Sequence, residues 1–426
     1  MPDVEPLAPE RVRSIDAPAG RWLSIVGIGE DGLAGLSAGA RAVIEQAEIV
    51  VGGARHLALA GDAVRGRAEV WPTPFDIAPV LAFRGRHVCV LASGDPLLHG
   101  VGATLARHVP ADEMRVLPAP SAFSLAAARL GWALADVGCL TVHGRSLALI
   151  RAHLHHRRRL LVLTSDGAGP AEIAALLAST GFGGSTLHVL EALGGPRERV
   201  RSLTAAGFDL DEVDPLNVVG IEIVAREGAR IIARAGGLPD ELYENDGQLT
   251  KREIRAMTLS ALAPRRGELL WDIGAGAGSV GIEWMLADPS LRAIAIEERT
   301  ERAARVRRNA DALGVPGLTV VEGQAPEALA GLAPPDAIFI GGGGSEPGVM
   351  EAAIAALPCG GRLVANAVTL ETEAVLLAHY AARGGELTRI AISRAVPVAG
   401  ASAKGAAGMT GWRPAMPVTQ WSWVKP

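Results

Sequence analysis

The chain has 426 residues, 49% of them hydrophobic and 20% charged, which is more than one ordinary domain holds and ample for packed cores. A formal net charge of −5 speaks against a nucleic-acid partner, which a basic surplus would mark. Mean hydropathy is +0.25, yet no run of about 18 uninterrupted apolar residues offers a membrane span.

Residues 1–20, MPDVEPLAPERVRSIDAPAG, lack an apolar signal core and read as a loose leader. From Trp22 short apolar strands alternate with alanine-rich helices, the α/β signature. LSIVGIG (Leu23 to Gly29) reads as a strand entering a glycine turn, and HVCVLASGDP (His87 to Pro96) repeats that form. Further strands are predicted at RLLVLTS (Arg159 to Ser165), STLHVLEAL (Ser185 to Leu193) and LNVVGIEIV (Leu216 to Val224). The basic run HLHHRRRL (His153 to Leu160) reads as the exposed end of a helix rather than a metal or nucleic-acid patch. RAGGLPDELYENDGQ (Arg234 to Gln248) has no clear period and reads as a linker.

A second series follows: ELLWDIGAG (Glu268 to Gly276), LRAIAIEE (Leu291 to Glu298), LTVVEGQA (Leu318 to Ala325), DAIFIGG (Asp336 to Gly342) and GRLVANAV (Gly361 to Val368). Their regular spacing, with helical stretches between, implies parallel strands joined by right-handed crossovers. Trp412, Trp421 and Trp423 beyond them read as core or subunit-contact residues. Cys89, Cys139 and Cys359 have neither metal nor disulfide spacing, and are expected to be small buried apolar residues in a reduced cytoplasm.

WDIGAGAGSVGIEW places Asp272, Gly274, Gly276 and Gly278, with Ala275 and Ala277 between them, where a strand hands over to a helix. Glycine lets the backbone approach a ligand closely, and the helix start offers free N–H groups. Dinucleotide enzymes use a similar turn, but they favour Gly-x-Gly-x-x-Gly, whereas this run is Gly-x-Gly-x-Gly. The next strand ends in Glu297, placed to accept both hydroxyls of a ribose; the bland alternative is a solvated acid at a helix start. Gln324 and Ala325 follow the third strand, where they can border an adenine ring. Together these positions resemble class I methyltransferases that use S-adenosylmethionine (SAM).

NDGQLTKREIR, GQAPEAL and IFIGGGGSEP narrow the resemblance to the C-terminal half of precorrin-6Y methyltransferases, over residues 240–426. It implies that Thr250 lies close to SAM. The glycines from Gly341 and Gly342 onward line the substrate side in such enzymes, or form a flexible turn.

In the first half VGIGEDG (Val26 to Gly32), with Gly27 and Gly29, does spell the dinucleotide fingerprint. The next predicted strand, AEIVVGG, ends in glycines rather than the acid such enzymes need, so a nicotinamide oxidoreductase is the weaker reading. VGIGEDGL, AEIVVGGARHL, SGDPLLHGVG, PAPSAFSLAAARLGW and LEALGGPRERV together resemble the tetrapyrrole methylases along nearly all of residues 21–235. The resemblance implies two α/β subdomains breaking near 115–120, with SAM in a trough contacted by Ser93, Gly94 and Asp95 and by Pro120, Ser121 and Ala122. Asp95 also suits a helix N-cap, because Pro96 fits a first helical position.

The expected fold is thus a two-subdomain tetrapyrrole methylase (21–235) fused to a Rossmann-like class I methyltransferase (236–426), with two SAM sites per chain. The resemblance implies methylation of a corrin precursor of vitamin B12 at carbon 5 by the first domain. Methylation at carbon 15 and loss of carbon dioxide from the ring C acetate fall to the second. It also implies a homo-oligomer. A substrate with many carboxylates calls for cations, and Lys251, Arg252 and Arg255 beside Thr250, or Arg394 and Lys404, are the candidates. No metal-ligand cluster is visible and no residue stands out as a catalytic acid or base.

Overall fold

The computed structural model describes residues 20–397 and 409–426, so the segment read as a leader lies outside the described residues save Gly20. The chain forms two compact units. One takes in the chain up to His143 together with 157–179 and 183–224, and the other takes in 144–156, 180–182 and 225–426.

The first unit holds two five-stranded sheets. Strands β1 (Leu23–Ile28), β2 (Ile49–Gly52), β3 (Arg67–Val70), β4 (Val88–Ser93) and β5 (Met114–Leu117) pair in the order β3-β2-β4-β1-β5, all parallel. β1, β2 and β4 are apolar and buried along most of their length, as parallel strands covered on both faces must be. β6 (Val137–Thr141), β7 (Arg159–Leu163), β8 (Thr186–Glu191), β9 (Arg199–Thr204) and β10 (Asn217–Glu222) form the second sheet, ordered β6-β7-β10-β8-β9. Only β6–β7 is parallel there. β8, β9 and β10 follow one another without an α-helix between them, and strands joined by short connections run antiparallel.

The second unit carries one seven-stranded sheet, ordered β13-β12-β11-β14-β15-β19-β16. β11 (Leu269–Ile273), β12 (Arg292–Glu297), β13 (Thr319–Glu322), β14 (Ala337–Ile340) and β15 (Arg362–Ala367) are mutually parallel, at the five places the spacing predicts. β16 (Glu386–Ile390) and β19 (Val418–Val424) add two antiparallel pairings, and β17 (Ser393–Pro397) pairs with β18 (Thr410–Pro414) as a separate ribbon. Trp421 and Trp423 stand buried on β19 with ring centroids 6.1 Å apart. Trp412 on β18 is 77% exposed and belongs to no core. Of the cysteines only Cys89 is buried. The basic run begins at the end of a 3-10 helix, Leu147–His153, not an α-helix, and Leu154 within it is buried.

The linker expectation for 234–248 needs correction. This segment lacks a period because it is neither helix nor strand for most of its length, yet it is tightly held. Glu283, in the Ser279–Ala287 helix, accepts the backbone N–H groups of Gly237 (2.6 Å) and Leu238 (2.9 Å), the Tyr243 hydroxyl (2.8 Å) and Arg255 Nε (2.5 Å). Arg255 is fully buried in the Arg252–Leu262 helix, lies over the Tyr243 ring at 4.7 Å, and also donates to the Leu238 carbonyl and Asp240. Further along, Glu244 pairs with Arg308 and Asp246 with Arg302. The segment is a strap bolted across three helices. Arg255→Ala leaves Glu283 as a buried charge short of its cation, and denaturant unfolding of the second unit is expected to show a loss of about 3–5 kcal/mol.

Candidate functional site

In the second unit the carboxyl ends of β11, β12, β13 and β14 share one edge of the sheet, where open α/β folds bind ligands. Gly274, Gly276 and Gly278 have φ of +68°, +60° and +74°, a left-handed conformation that side chains resist. Space demands glycine as well. A β-carbon on Gly274 would lie 2.6 Å from the Gly342 carbonyl oxygen, and one on Gly278 2.7 Å from Val306. Between them the Ala275 N–H donates to Ile296 and the Ala277 carbonyl accepts from Asn309.

Glu297, 5% exposed, accepts from the Gly276 N–H (2.8 Å) and the Arg299 N–H (3.1 Å), so it is locked onto the glycine turn and is no solvated acid. Asp272, 1% exposed, accepts from the Gly281 N–H at 2.9 Å through Oδ2, while its Oδ1 is buried without a partner. Burial, with the charge of Glu297 as a smaller contribution, raises its pKa to about 7. An orphaned carboxylate oxygen beside the turn suits a cationic ligand, and SAM carries positive charge on its sulfonium and its ammonium.

The loop of Gln324 (exposed) and Ala325 (half-buried) is tied in by Gly323, whose N–H donates to the Glu297 carbonyl at 3.1 Å. The Gly341 N–H donates to the Ile273 carbonyl at 3.0 Å, and Gly342 abuts Gly274. From the other side the strap crosses the turn, with the Gln248 carbonyl 3.3 Å from where a Gly276 β-carbon would stand. Thr250 follows, its own carbonyl held by Arg255 Nη1 at 2.5 Å.

The expected cations part company. Lys251 and Arg252 are exposed at the start of their helix. Arg394 on β17 reaches the same first turn, where it pairs with Glu253. Arg255 cannot meet a substrate: it is fully buried and all its nitrogens serve the strap. Lys404 lies outside the described residues.

In the first unit the matched loops also converge at a sheet edge. A β-carbon on Gly27 would stand 1.9 Å from the Gly94 carbonyl oxygen and 2.7 Å from the Ala119 nitrogen. Gly94 (φ +52°) in turn abuts Pro120 and Ser121. Gly29 sits above Asp31 in the turn after β1. Ser121 caps the Ala122–Leu130 helix by accepting from the Ser124 N–H at 3.1 Å. Asp95 caps no helix: its Oδ1 accepts from the Leu97 N–H at 2.9 Å in a local turn, and the next helix starts only at Val101.

Ser93, the exposed last residue of β4, is hydrogen-bonded to residues sequence reading passed over. His56 Nε2 lies 2.8 Å and Arg55 Nη2 2.9 Å from Ser93 Oγ, and Arg55 pairs with Glu30. Glu30 follows β1 and the Arg55–His56 pair follows β2, so the signal available was position just past a predicted strand. Among the described residues no group of three His, Cys, Asp or Glu side chains is placed to hold a metal ion, and no helix is long and apolar enough to cross a membrane.

Two family models match the chain. One described as "Tetrapyrrole (Corrin/Porphyrin) Methylases" matches residues 23–209, and one described as "Precorrin methyltransferase domain" matches 241–425. A precorrin-6Y C(5,15)-methyltransferase (decarboxylating) from a Sinorhizobium species is 62% identical over 406 residues, 95% of this chain and 96% of the relative. The cobalt-precorrin-7 C(5)-methyltransferase of Salmonella typhimurium is 30% identical over 193 residues, 44% of this chain and 94% of that protein. A probable cobalt-precorrin-6B C(15)-methyltransferase (decarboxylating) of Pyrobaculum calidifontis is 42% identical over 141 residues, 32% of this chain and 72% of that protein.

Asp272 makes the ligand-free protein pH-dependent. With its folded pKa near 7, above the unfolded carboxylate value, the folded state holds a proton that the unfolded state has lost. Stability of the second unit is therefore expected to fall as pH rises from about 4 to 7. Asp272→Asn should flatten that slope in thermal melts taken across the window.

Proposed function

The chain belongs to the precorrin-6Y C(5,15)-methyltransferases (decarboxylating) of cobalamin biosynthesis, enzymes that use SAM, and from that premise we propose how its halves divide the work. Residues 21–235 methylate carbon 5 of the corrin precursor. Residues 236–426 methylate carbon 15 and release carbon dioxide from the ring C acetate, and each half holds its own SAM. The observation that carries this reading is duplication: each unit independently packs a glycine turn against neighbouring loops at the carboxyl edge of a parallel sheet. The existence of relatives named for the C(5) or the C(15) activity alone supports it.

SAM supplies an electrophilic methyl on sulfonium, so the protein's contribution is chiefly orientation and exclusion of water. In the second half Glu297 would hold the ribose, Asp272 a positive charge, Gln324 and Ala325 the adenine, and Thr250 with the Gly274–Gly278 turn would complete the cradle. Lys251 and Arg252, with Arg394 once it parts from Glu253, would receive substrate carboxylates, with Gly341 and Gly342 lining the same side. Decarboxylation leaves an electron pair that the macrocycle itself can take up. In the first half Gly27, Gly29, Ser93, Gly94, Asp95, Ser121 and Ala122 would frame SAM. We place the enzyme in the cytoplasm, as a homo-oligomer.

Two full-length variants test the division. Gly27→Val should leave a product that has lost carbon dioxide and gained one methyl, while Gly276→Val should release no carbon dioxide. Each should bind one S-adenosylhomocysteine per chain by calorimetry where the parent binds two. Carbon dioxide release undiminished in Gly276→Val would overturn the assignment.

A further inference from the structure

The cluster at the carboxyl edge of the first sheet has a chemistry that binding SAM does not require. Ser93 ends β4, Arg55 and His56 follow β2, and Glu30 follows β1, so three parallel strands deliver them to one place. Arg55 Nη2 lies 3.0 Å from His56 Nε2 and 2.9 Å from Ser93 Oγ, and His56 Nε2 lies 2.8 Å from Ser93 Oγ. A guanidinium can only donate. Nε2 of His56 must therefore present its lone pair, and the ring proton sits on Nδ1, which is buried without a partner. Ser93 accepts from Arg55, so its own hydroxyl hydrogen can point at Nε2, where it shares the single lone pair with the Arg55 N–H. A hydroxyl aimed at a neutral imidazole, with the imidazole fixed by a third group, is the arrangement of an activated serine.

The geometry points to Ser93 and His56 as a proton relay that removes the hydrogen displaced when the first half methylates its substrate carbon, an inference that rests on the assignment of carbon 5 methylation to this half. The balance requires such an acceptor. A methine carbon that gains a methyl and keeps its double bond forms one carbon–carbon bond. The broken sulfur–carbon bond leaves its electron pair on sulfur. The carbon then carries one hydrogen too many and sheds it as a proton, returning the C–H pair to the macrocycle. Ser93 Oγ, exposed at the strand end, takes that proton while its own passes to His56 Nε2. The imidazolium so formed lies beside Arg55, whose charge Glu30 offsets, with Arg197 3.7 Å from Glu30 on the far side. That neighbourhood expels the proton to solvent and resets the pair. Burial, and then the charge of Arg55, lower the His56 pKa to about 4, so the ring is neutral and ready to accept at physiological pH.

The test uses the full-length chain. His56→Gln keeps an acceptor near Ser93 but cannot take up a proton, and should slow carbon 5 methylation at least about 100-fold. S-adenosylhomocysteine binding to the first half should be unchanged, and carbon dioxide release should continue. His56→Ala should be partly restored by added imidazole, which a purely structural role does not allow. In the parent, ¹⁵N spectra of the His56 ring should show the Nδ1–H tautomer, neutral down to about pH 5. Parent-like carbon 5 transfer in His56→Gln, or loss of S-adenosylhomocysteine from the first half of that variant, overturns the relay. Failure of the division of labour reads out separately, because Gly27→Val would then leave carbon 5 methylation intact whatever His56 does.

Discussion

In both units backbone touches backbone at the carboxyl end of a parallel strand, where Gly27 meets Gly94 and Gly274 meets Gly342 with no room for a β-carbon on Gly27 or Gly274. The rest of each site depends on this closeness. Segments from neighbouring strands can approach this closely only where a side chain is absent. The side chains proposed to meet ligand stand around these contacts. In the second unit these are acids, Asp272 and Glu297. In the first they are Ser93 with the Arg55–His56 pair.

The electrostatics of the two edges differ accordingly. The second unit buries a carboxylate with one oxygen unpartnered, an arrangement costly to the ligand-free fold and relieved by a cation. The first unit half-buries an imidazole beside the Arg55 guanidinium; burial first, and then that charge, disfavours protonation and keeps a lone pair available. In the roles proposed above, one edge receives positive charge and the other passes a proton on. Beneath the second edge, Glu283 and Arg255 fix the strap that brings Thr250 to the turn, so the carbonyl of a proposed SAM neighbour hangs from an ion pair that solvent does not reach.

Much of this was legible in residue order. The eleven strands predicted from apolar runs are all present, because a strand that packs against a core must carry apolar residues along it. Glu297 and the glycines were legible because chemistry and backbone conformation restrict those positions to few residue types. What escaped was of another kind. β16 to β19 lie on partly exposed or antiparallel ground where alternation is weak. The strap escaped because its order comes from side chains on three helices, Glu283 foremost, and no local period records that. Arg255 misled because an arginine beside a matched motif looks the same in sequence whether it faces a ligand or a buried glutamate.

Residue order alone determined the α/β character, the two glycine turns and the family, since each is written in local pattern and spacing. Tertiary structure decided which charges are free and which are consumed. It withdrew Arg255 into the core, brought Arg394 to Glu253, left one oxygen of Asp272 without a partner and set His56 against Ser93. The physical reason is that pairing depends on distances between side chains 28, 141 or 37 positions apart, and the folded chain alone sets those distances.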